Sequence, residues 1–329
     1  MNSRMDVTVI IPSYNRAGFL RETMQSILGQ SFPPDRYEII FIDNGSTDNT
    51  GEIIAAINAE NSGRIRYVYE PRPGLLVGRH LGASLARGRI LLYGDDDIIA
   101  SPDWVGEVCR CYQDEMVGAA SGRVLPRFEV PPPAWVKLFP ETYISIIDPG
   151  DEYREVDRSF AYGCNMSVRK DVFYEVGGFN PDSMPPDLIR FVGDGETALM
   201  ERVAASRYKM VYNPAAYVYH VIPAGRLTID FYKKRAFFQG VGDSYRLIRR
   251  HGGIDAAAYA DMLRAPGLAS AVFDLLRCIR RGGPVFIRYY RYMKDVAEAY
   301  RQGAIYHRNE AENDPALLEW ILRENYLEG

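Results

Sequence analysis

Cysteine is scarce in this chain: four residues in 329, Cys109, Cys111, Cys164 and Cys278, with no CxxC pair among them. That spacing excludes a disulfide-stapled scaffold, and thiols this sparse read as reduced ones. Long hydrophobic runs are missing too. No stretch approaches the ~20 apolar residues that cross a bilayer, and the N-terminus enters Val7-Thr-Val-Ile-Ile11 without an apolar leader or cleavage site. Neither a membrane span nor a signal peptide is expected, which predicts a soluble, cytoplasmic protein, at most peripheral at the inner membrane face. Two phosphate-binding signatures are missing as well. No GxGxxG follows the first apolar run and there is no GxxxxGK[ST], which argues against a dehydrogenase-type dinucleotide fold and a P-loop. No repeat or low-complexity segment occurs. A net charge of −4 is too small to speak for or against nucleic acid.

What is present is an ordinary globular composition, 47% apolar and 25% charged, able to bury a sizeable core. The charge is unevenly spread: −8 over residues 1–224, +9 over 225–308 and −5 over 309–329. Val7–Ile11, Tyr37–Ile42, Ile65–Tyr69 and Ile90–Tyr93 read as buried strands. Helical spacing separates them over Gly18–Gln30, Thr50–Ile57 and Val77–Ala86. This alternation predicts a mostly parallel sheet with helices on both faces, and right-handed crossovers leave few topologies.

The fourth strand ends at Gly94 and releases Asp95, Asp96 and Asp97 before Pro102 opens a helix. Three adjacent carboxylates repel one another, and burying them unpaired costs several kcal/mol each to order of magnitude. A solvated acidic turn is the plain alternative. Open α/β sheets place their ligands at the strand ends, however, and a hard divalent ion such as Mg²⁺ or Mn²⁺ suits carboxylate and phosphate oxygens. The second strand likewise ends on Asp43-Asn-Gly-Ser-Thr-Asp48, where Asp43 is free to accept from a ribose hydroxyl or base N–H, or to close an Asx turn with Ser46.

In this order, Val9-Ile-Ile-Pro-Ser-Tyr-Asn15, Ile42-Asp-Asn-Gly-Ser-Thr-Asp48 and Gly94-Asp-Asp-Asp97 resemble the family-2 (GT2) inverting glycosyltransferases of the GT-A fold, over about residues 6–222. The resemblance implies a metal-dependent transfer from a nucleotide-diphosphate sugar, UDP-sugar foremost, to a hydroxyl acceptor that is a glycan, a lipid-linked sugar or a small molecule. It implies Mn²⁺ or Mg²⁺ as cofactor and no nucleic-acid partner. Pro12, Tyr14 and Asn15 would line the nucleotide pocket, Asp43 would hold base or ribose, and Arg79 would reach towards the nucleotide. Asp95 to Asp97 match the DxD signature: Asp95 and Asp96 on the nucleotide-sugar side, Asp97 with Asp95 on the metal. In Gly193-Asp194-Gly195-Glu196 the family places its general base. The usual Glu-Asp pair is absent, so both Glu196 and Asp194 stand as candidates, against a structural reading as N-cap and first-turn acid. His220, ending the last predicted strand, would supply a metal or phosphate contact.

The expected layout is a GT-A catalytic domain over 1–224, with a nucleotide-sugar half of about 1–100 and an acceptor half of about 101–224, then a helical region over 225–329. Pro126–Ser159 carries six prolines with Trp135, Phe139, Tyr143 and Tyr153, a pattern of a binding loop or of a loop pinned by its aromatics. Short strands are expected at Phe160–Lys170, Lys209–Asn213 and Ala216–His220. Helices are expected at Thr228–Arg250, Asp255–Leu263, Leu268–Arg281 and Val285–Ala304. There Arg277, Arg280, Arg281, Arg288 and Arg291 interleave with Phe273, Phe286, Tyr289, Tyr290 and Tyr292, which fits peripheral membrane contact, a homodimer surface or plain packing. Two other classes compete: a sugar-phosphate nucleotidyltransferase, disfavoured by the lack of a Gly-rich basic N-terminal loop, and a non-catalytic sugar-binding protein on the same fold.

Overall fold

The computed structural model describes residues 5–157, 163–264 and 286–327, the first three residues of the last stretch in backbone only. The N-terminal β-branched run forms β1 (Val7–Ser13), buried at every position. With β2 (Tyr37–Asp43), β3 (Ile65–Tyr69) and β4 (Ile90–Gly94) it builds a parallel sheet in the order β3-β2-β1-β4. Parallel strands this apolar need cover on both faces. Val7, Val9 and Ile11 point into one core with α1 (Leu20–Leu28) and α2 (Thr50–Glu60), whereas Ile10 packs on the opposite side beneath α3 (Leu75–Leu85).

The second half extends the same sheet. β5 (Ile98–Ala100) follows the acidic triplet, then α4 (Trp104–Cys111), β6 (Val117–Phe128), β7 (Arg154–Val156), β8 (Asn165–Arg169), α5 (Lys170–Glu175), α6 (Glu196–Ala204) and β9 (Lys209–Ile222). β8 runs antiparallel to β4, β6 antiparallel to β8, and β9 parallel to β6. The two strands expected around Pro214 are one. Pro214 cannot donate to a ladder, and the register shifts across it, so it sits in an irregularity rather than a turn. β5 is three residues long and carries no periodicity that a sequence reading detects.

α7 (Ile229–His251), α8 (Ala256–Met262), α9 (Phe286–Asn313) and α10 (Pro315–Ile321) complete the chain. α7 and α9 cross so closely that a Cβ on Gly240 would lie 2.0 Å from the Tyr300 carbonyl oxygen. α9 runs nine residues beyond the expected Ala304, and the acidic stretch after it is structured. Asp314 caps α10 by accepting from the Ala316 and Leu317 amides. Leu317, Ile321 and Tyr326 then share a core with Leu199 and Tyr245. Net charge concealed that apolar stripe.

In the proline-rich segment, Trp135, Phe139 and Tyr143 surround the ring of Tyr232 on α7 at 5.0, 5.0 and 5.4 Å. These aromatics pin the loop; Tyr153 stays exposed. Tyr289 and Tyr292 pack against the same cluster. The predicted helix Leu268–Arg281, residues Phe273, Arg277, Cys278, Arg280 and Arg281, the start of the strand at Phe160, and the side chains of Phe286 and Arg288 lie outside the described residues. Among the described residues, no helix is long and apolar enough to cross a membrane.

Candidate active site

Strand pairing gathers the acidic residues. The β1–β2 register sets Ser13 beside Asp43, so both following loops leave the sheet at one edge. β8 brings Asn165 opposite Gly94, which carries Gly163 and Cys164 towards Asp95. β5 pairs Ile98 with His220, and the Val221 amide donates to the Asp97 carbonyl at 2.9 Å. That short strand is what joins Asp97 to a histidine more than a hundred residues away.

Asp95, Asp97 and His220 offer ligand atoms within 4.8 Å of one another. His220 Nδ1 lies 3.1 Å from the Ile144 carbonyl, and Arg226 Nη1 lies 2.7 Å from Nε2. A guanidinium can only donate, so Nε2 accepts and the ring proton sits on Nδ1. Nε2 also lies 3.3 Å from Asp97 Oδ1, a buried oxygen with no hydrogen-bond partner. One imidazole nitrogen with two carboxylates is a donor set that fits a divalent cation once Arg226 gives up Nε2. Arg226 Nη2 reaches Asp97 Oδ2 at 2.8 Å, and Arg16 pairs with Asp97 and, at 3.3 Å, with Asp96.

Burial alone would raise the Asp97 carboxyl; the Arg226 and Arg16 guanidinium groups beside it outweigh that and hold it below the ordinary carboxylate range. Asp96 moves oppositely, to about 7, because burial and the Asp97 charge exceed the help from Arg16. Asp95 is raised by its enclosure in the cleft walls, with Arg79 opposing.

Arg79 is the second centre. Its side chain is 3% exposed and meets three carboxylates: Asp182 at 3.2 Å, Glu196 at 3.3 Å and Asp95 at 3.9 Å. The Phe179 ring lies 5.2 Å from its guanidinium carbon. A Cβ at 163 would fall 1.8 Å from Arg79 Nη2, so any residue larger than glycine there has to displace that guanidinium. The Gly163 amide donates to Glu196 Oε1 at 3.3 Å. Two adjacent carboxyls do not both ionise freely, and their environments push them apart. Asp182 rises to about 7 through burial and the nearby Glu196. Glu196, despite burial, is lowered by Arg79, a hydrogen bond from Asp182 and the Gly163 amide. The arrangement is an ionised Glu196 beside an Asp182 that holds its proton up to about pH 7.

That pairing yields a pH prediction. Asp182 is held near 7 in the fold against an ordinary 3.8. As pH rises past 3.8 the unfolded chain releases the proton first, so this group costs stability between about pH 4 and 7. Asp182→Asn, whose amide can still donate to Glu196, is expected to gain stability relative to wild type across that window and then level off, by a few kcal/mol at most. Denaturant unfolding at pH 4.5 and pH 8 measures it, and an equal difference at both pH values contradicts the assignment.

Other predicted residues serve the scaffold as well. Asp43 accepts from the Ser46 amide at 2.8 Å and from the Tyr67 hydroxyl at 2.7 Å, so the Asx turn is present. Asn15, in left-handed backbone with φ 53°, accepts from the Thr47 and Asp48 amides and ties the first loop to the second. Tyr14 is exposed, and Pro12 lies under α3 at Gly78. The Asp194 side chain is 4% exposed, accepting from Asn180 at 2.8 Å and lying 3.9 Å from Arg246. Arg79 lies with Glu196 and Asp182 rather than beside Asp43. Sequence reasoning passed over Arg16, Arg226, Asp182 and Gly163. Arg16 directly follows Asn15 and was open to notice, while Asp182 sits in a polar loop with no local signal.

Arg79, Asp95, Asp182 and Glu196 line one wall of a cleft of about 490 Å³ whose other wall is α7.

Comparison with known proteins gives a consistent result. Glycosyl transferase family 2 matches residues 8–177. Glucosyl-dolichyl phosphate glucuronosyltransferase of Haloferax volcanii is 26% identical over 260 residues, 72% of this chain and 75% of that protein. Glycosyltransferase AglE of the same organism is 27% identical over 173 residues, and the match covers 53% of this chain and 55% of AglE. Among solved structures, the mannosyltransferase PcManGT of Pyrobaculum calidifontis, in complex with GDP-Man and Mn²⁺, superposes with a TM-score of 0.61 at 18% identity, over 92% of this chain and 88% of that one. That likeness concerns the fold, which is GT-A.

Proposed function

The chain belongs to glycosyl transferase family 2, and from that premise we propose that it transfers a sugar from a nucleotide-diphosphate donor to a hydroxyl acceptor with inversion, in glycoconjugate assembly. The observation that carries the reading is Arg79, which joins Asp95 at the end of β4 to Glu196 at the start of α6. Donor-side and base-side carboxylates are thereby held at one cleft.

Asp95, Asp97 and His220 would hold Mn²⁺ or Mg²⁺, and a cation bound there supplies positive charge against the leaving diphosphate. PcManGT, with Mn²⁺ and GDP-Man, supports that choice by likeness of fold. Arg16 and Arg226 stand beside Asp97, where guanidinium groups can take phosphate oxygens. Asp43 and the loop tied by Asn15 form the nucleotide end, and we retain uridine as the base that the sequence resemblance implies.

Glu196 takes the acceptor's proton as the hydroxyl oxygen attacks the anomeric carbon from the face opposite the diphosphate. Attack requires the two atoms within roughly 3–3.5 Å. Arg79 and the Gly163 amide fix the carboxylate, and Asp182 hydrogen-bonds it. Asp194 is the weaker candidate, because its oxygens face Asn180 and Arg246. We assign residues 1–100 to the donor half, 101–224 to the acceptor half and 225–329 to a helical region that walls the cleft.

Thermal unfolding with UDP, GDP and dTDP, each with and without Mn²⁺, tests the donor reading. One nucleotide is expected to stabilise the protein by about 2.7 kcal/mol at a hundredfold excess over its Kd, and EDTA to abolish the gain. The matching nucleotide-sugar should then release nucleoside diphosphate. No shift with any of them overturns the reading, and pyrophosphate release points to a nucleotidyltransferase.

A further inference from the structure

The cleft has walls of opposite charge. On α7, Phe231, Lys234, Arg235 and Phe238 line it at helical i, i+3, i+4 and i+7 spacing, facing Asp95, Asp182 and Glu196. Neighbouring cations on α7 have carboxylate partners: Lys233 pairs with Asp230 at 3.5 Å, and Arg246 with Asp243 at 3.1 Å. Lys234 and Arg235 are exposed, and among the described residues neither has a carboxylate within ion-pair distance. The carboxylates of the acidic wall are engaged by Arg79. Two adjacent positive charges face the cleft with no carboxylate in direct contact, flanked one turn away on either side by an aromatic ring.

Resting on the glycosyltransferase reading, we propose that the acceptor is phosphorylated, and that Lys234 and Arg235 bind its phosphoryl group while its hydroxyl meets Glu196. The diphosphate of the donor belongs on the Asp97 side with Arg16 and Arg226. An acceptor whose hydroxyl reaches Glu196 from the opposite side has its remaining part along α7. A phosphate ester carries up to about two negative charges near neutral pH, which matches two cations, one a compact ammonium and the other a fork suited to paired oxygens. Phe231 and Phe238 offer faces to the sugar ring or alkyl chain attached to that phosphate. The phosphate is either the headgroup of a lipid or part of a soluble sugar phosphate.

The test is equilibrium binding in EDTA, which keeps phosphate probes off the metal site. Decyl phosphate, glucose 1-phosphate and the neutral decyl glucoside are titrated below micelle-forming concentration. Wild type is expected to bind a phosphate probe at least tenfold more tightly than the glucoside, and the preference should shrink as salt is raised. The doubly reversed Lys234→Glu, Arg235→Glu protein should lose it while melting as wild type does, because both side chains are exposed. A response to decyl phosphate alone identifies a lipid-borne phosphate; equal response to glucose 1-phosphate identifies a soluble one. Absence of any preference in wild type overturns the proposal. So does its persistence in the reversed variant, which would place the phosphate at Arg16 and Arg226. Nucleoside-diphosphate release by wild type with Mn²⁺ is measured separately, so failure of the donor reading and failure of the phosphate site are told apart.

Discussion

Glu196→Gln is expected to lower sugar transfer by about 10²–10⁴-fold, the span usual for loss of a positioned base, with donor binding nearly intact. The amide keeps the size of the carboxylate, and its one oxygen can still accept from either Arg79 Nη1 or the Gly163 amide, which reach separate oxygens at 3.3 Å each in wild type. It cannot accept a proton from the acceptor. Donor-dependent thermal stabilisation should therefore persist while product formation falls, a split that a merely structural role for Glu196 would not give. Asp194→Asn is the control. Asp194 accepts from Asn180 at the start of α6, so its replacement should reduce stability and alter turnover within about tenfold. Near-normal transfer by Glu196→Gln together with collapse in Asp194→Asn reverses the assignment.

Asp97→Asn is the second substitution with a large expected effect. It removes one charge from the group of Asp95, Asp97 and His220 and leaves Arg16 and Arg226 without their shared carboxylate. Binding of Mn²⁺, followed by the loss of its free-ion paramagnetic resonance signal, should weaken by at least tenfold. Nucleotide-dependent stabilisation should vanish, and transfer should fall below detection. The folded protein carries a separate signature. Arg226 and Arg16 hold the Asp97 carboxyl below its ordinary 3.8 in the fold. Its contribution is therefore present above pH 3.8 and fades as pH falls below it. Metal-free wild type should exceed Asp97→Asn in stability at pH 7, and the gap should close in acid. A gap independent of pH, or undiminished Mn²⁺ binding, removes Asp97 from the metal site.

How far the fold could be read from the chain depended on the range of the forces involved. The alternation of β1 to β4 with their helices was legible because a buried parallel strand needs an unbroken apolar run, and Val7-Thr-Val-Ile-Ile11 and Tyr37–Ile42 are such runs. β5 was not legible, since three residues hold no period and its existence depends on β9. The helical character of the region after residue 225 was legible, but the packing of its acidic end was not. Six acidic residues after 308 set its charge, yet α10 is held by Leu317 and Ile321 against a core built mostly by other elements. The break expected at Pro214 followed the local rule for proline in strands, and the neighbouring pairing with β6 overrode it.

In the site, the apolar runs of β2 and β4 led to their acidic ends, and the family resemblance pointed to the carboxylates opening α6 and to His220. The tertiary structure decided which of these groups meet. Arg79 and Glu196 are 117 residues apart and Arg226 and Asp97 are 129 apart. No local pattern encodes such a pairing, because an ion pair depends on distance in space and the intervening chain only has to close a loop. The same holds for the ionised Glu196 beside an Asp182 whose carboxyl is pushed up to about 7, and for the proton on Nδ1 of His220. Both are settled by neighbours that strand pairing brings within hydrogen-bond reach.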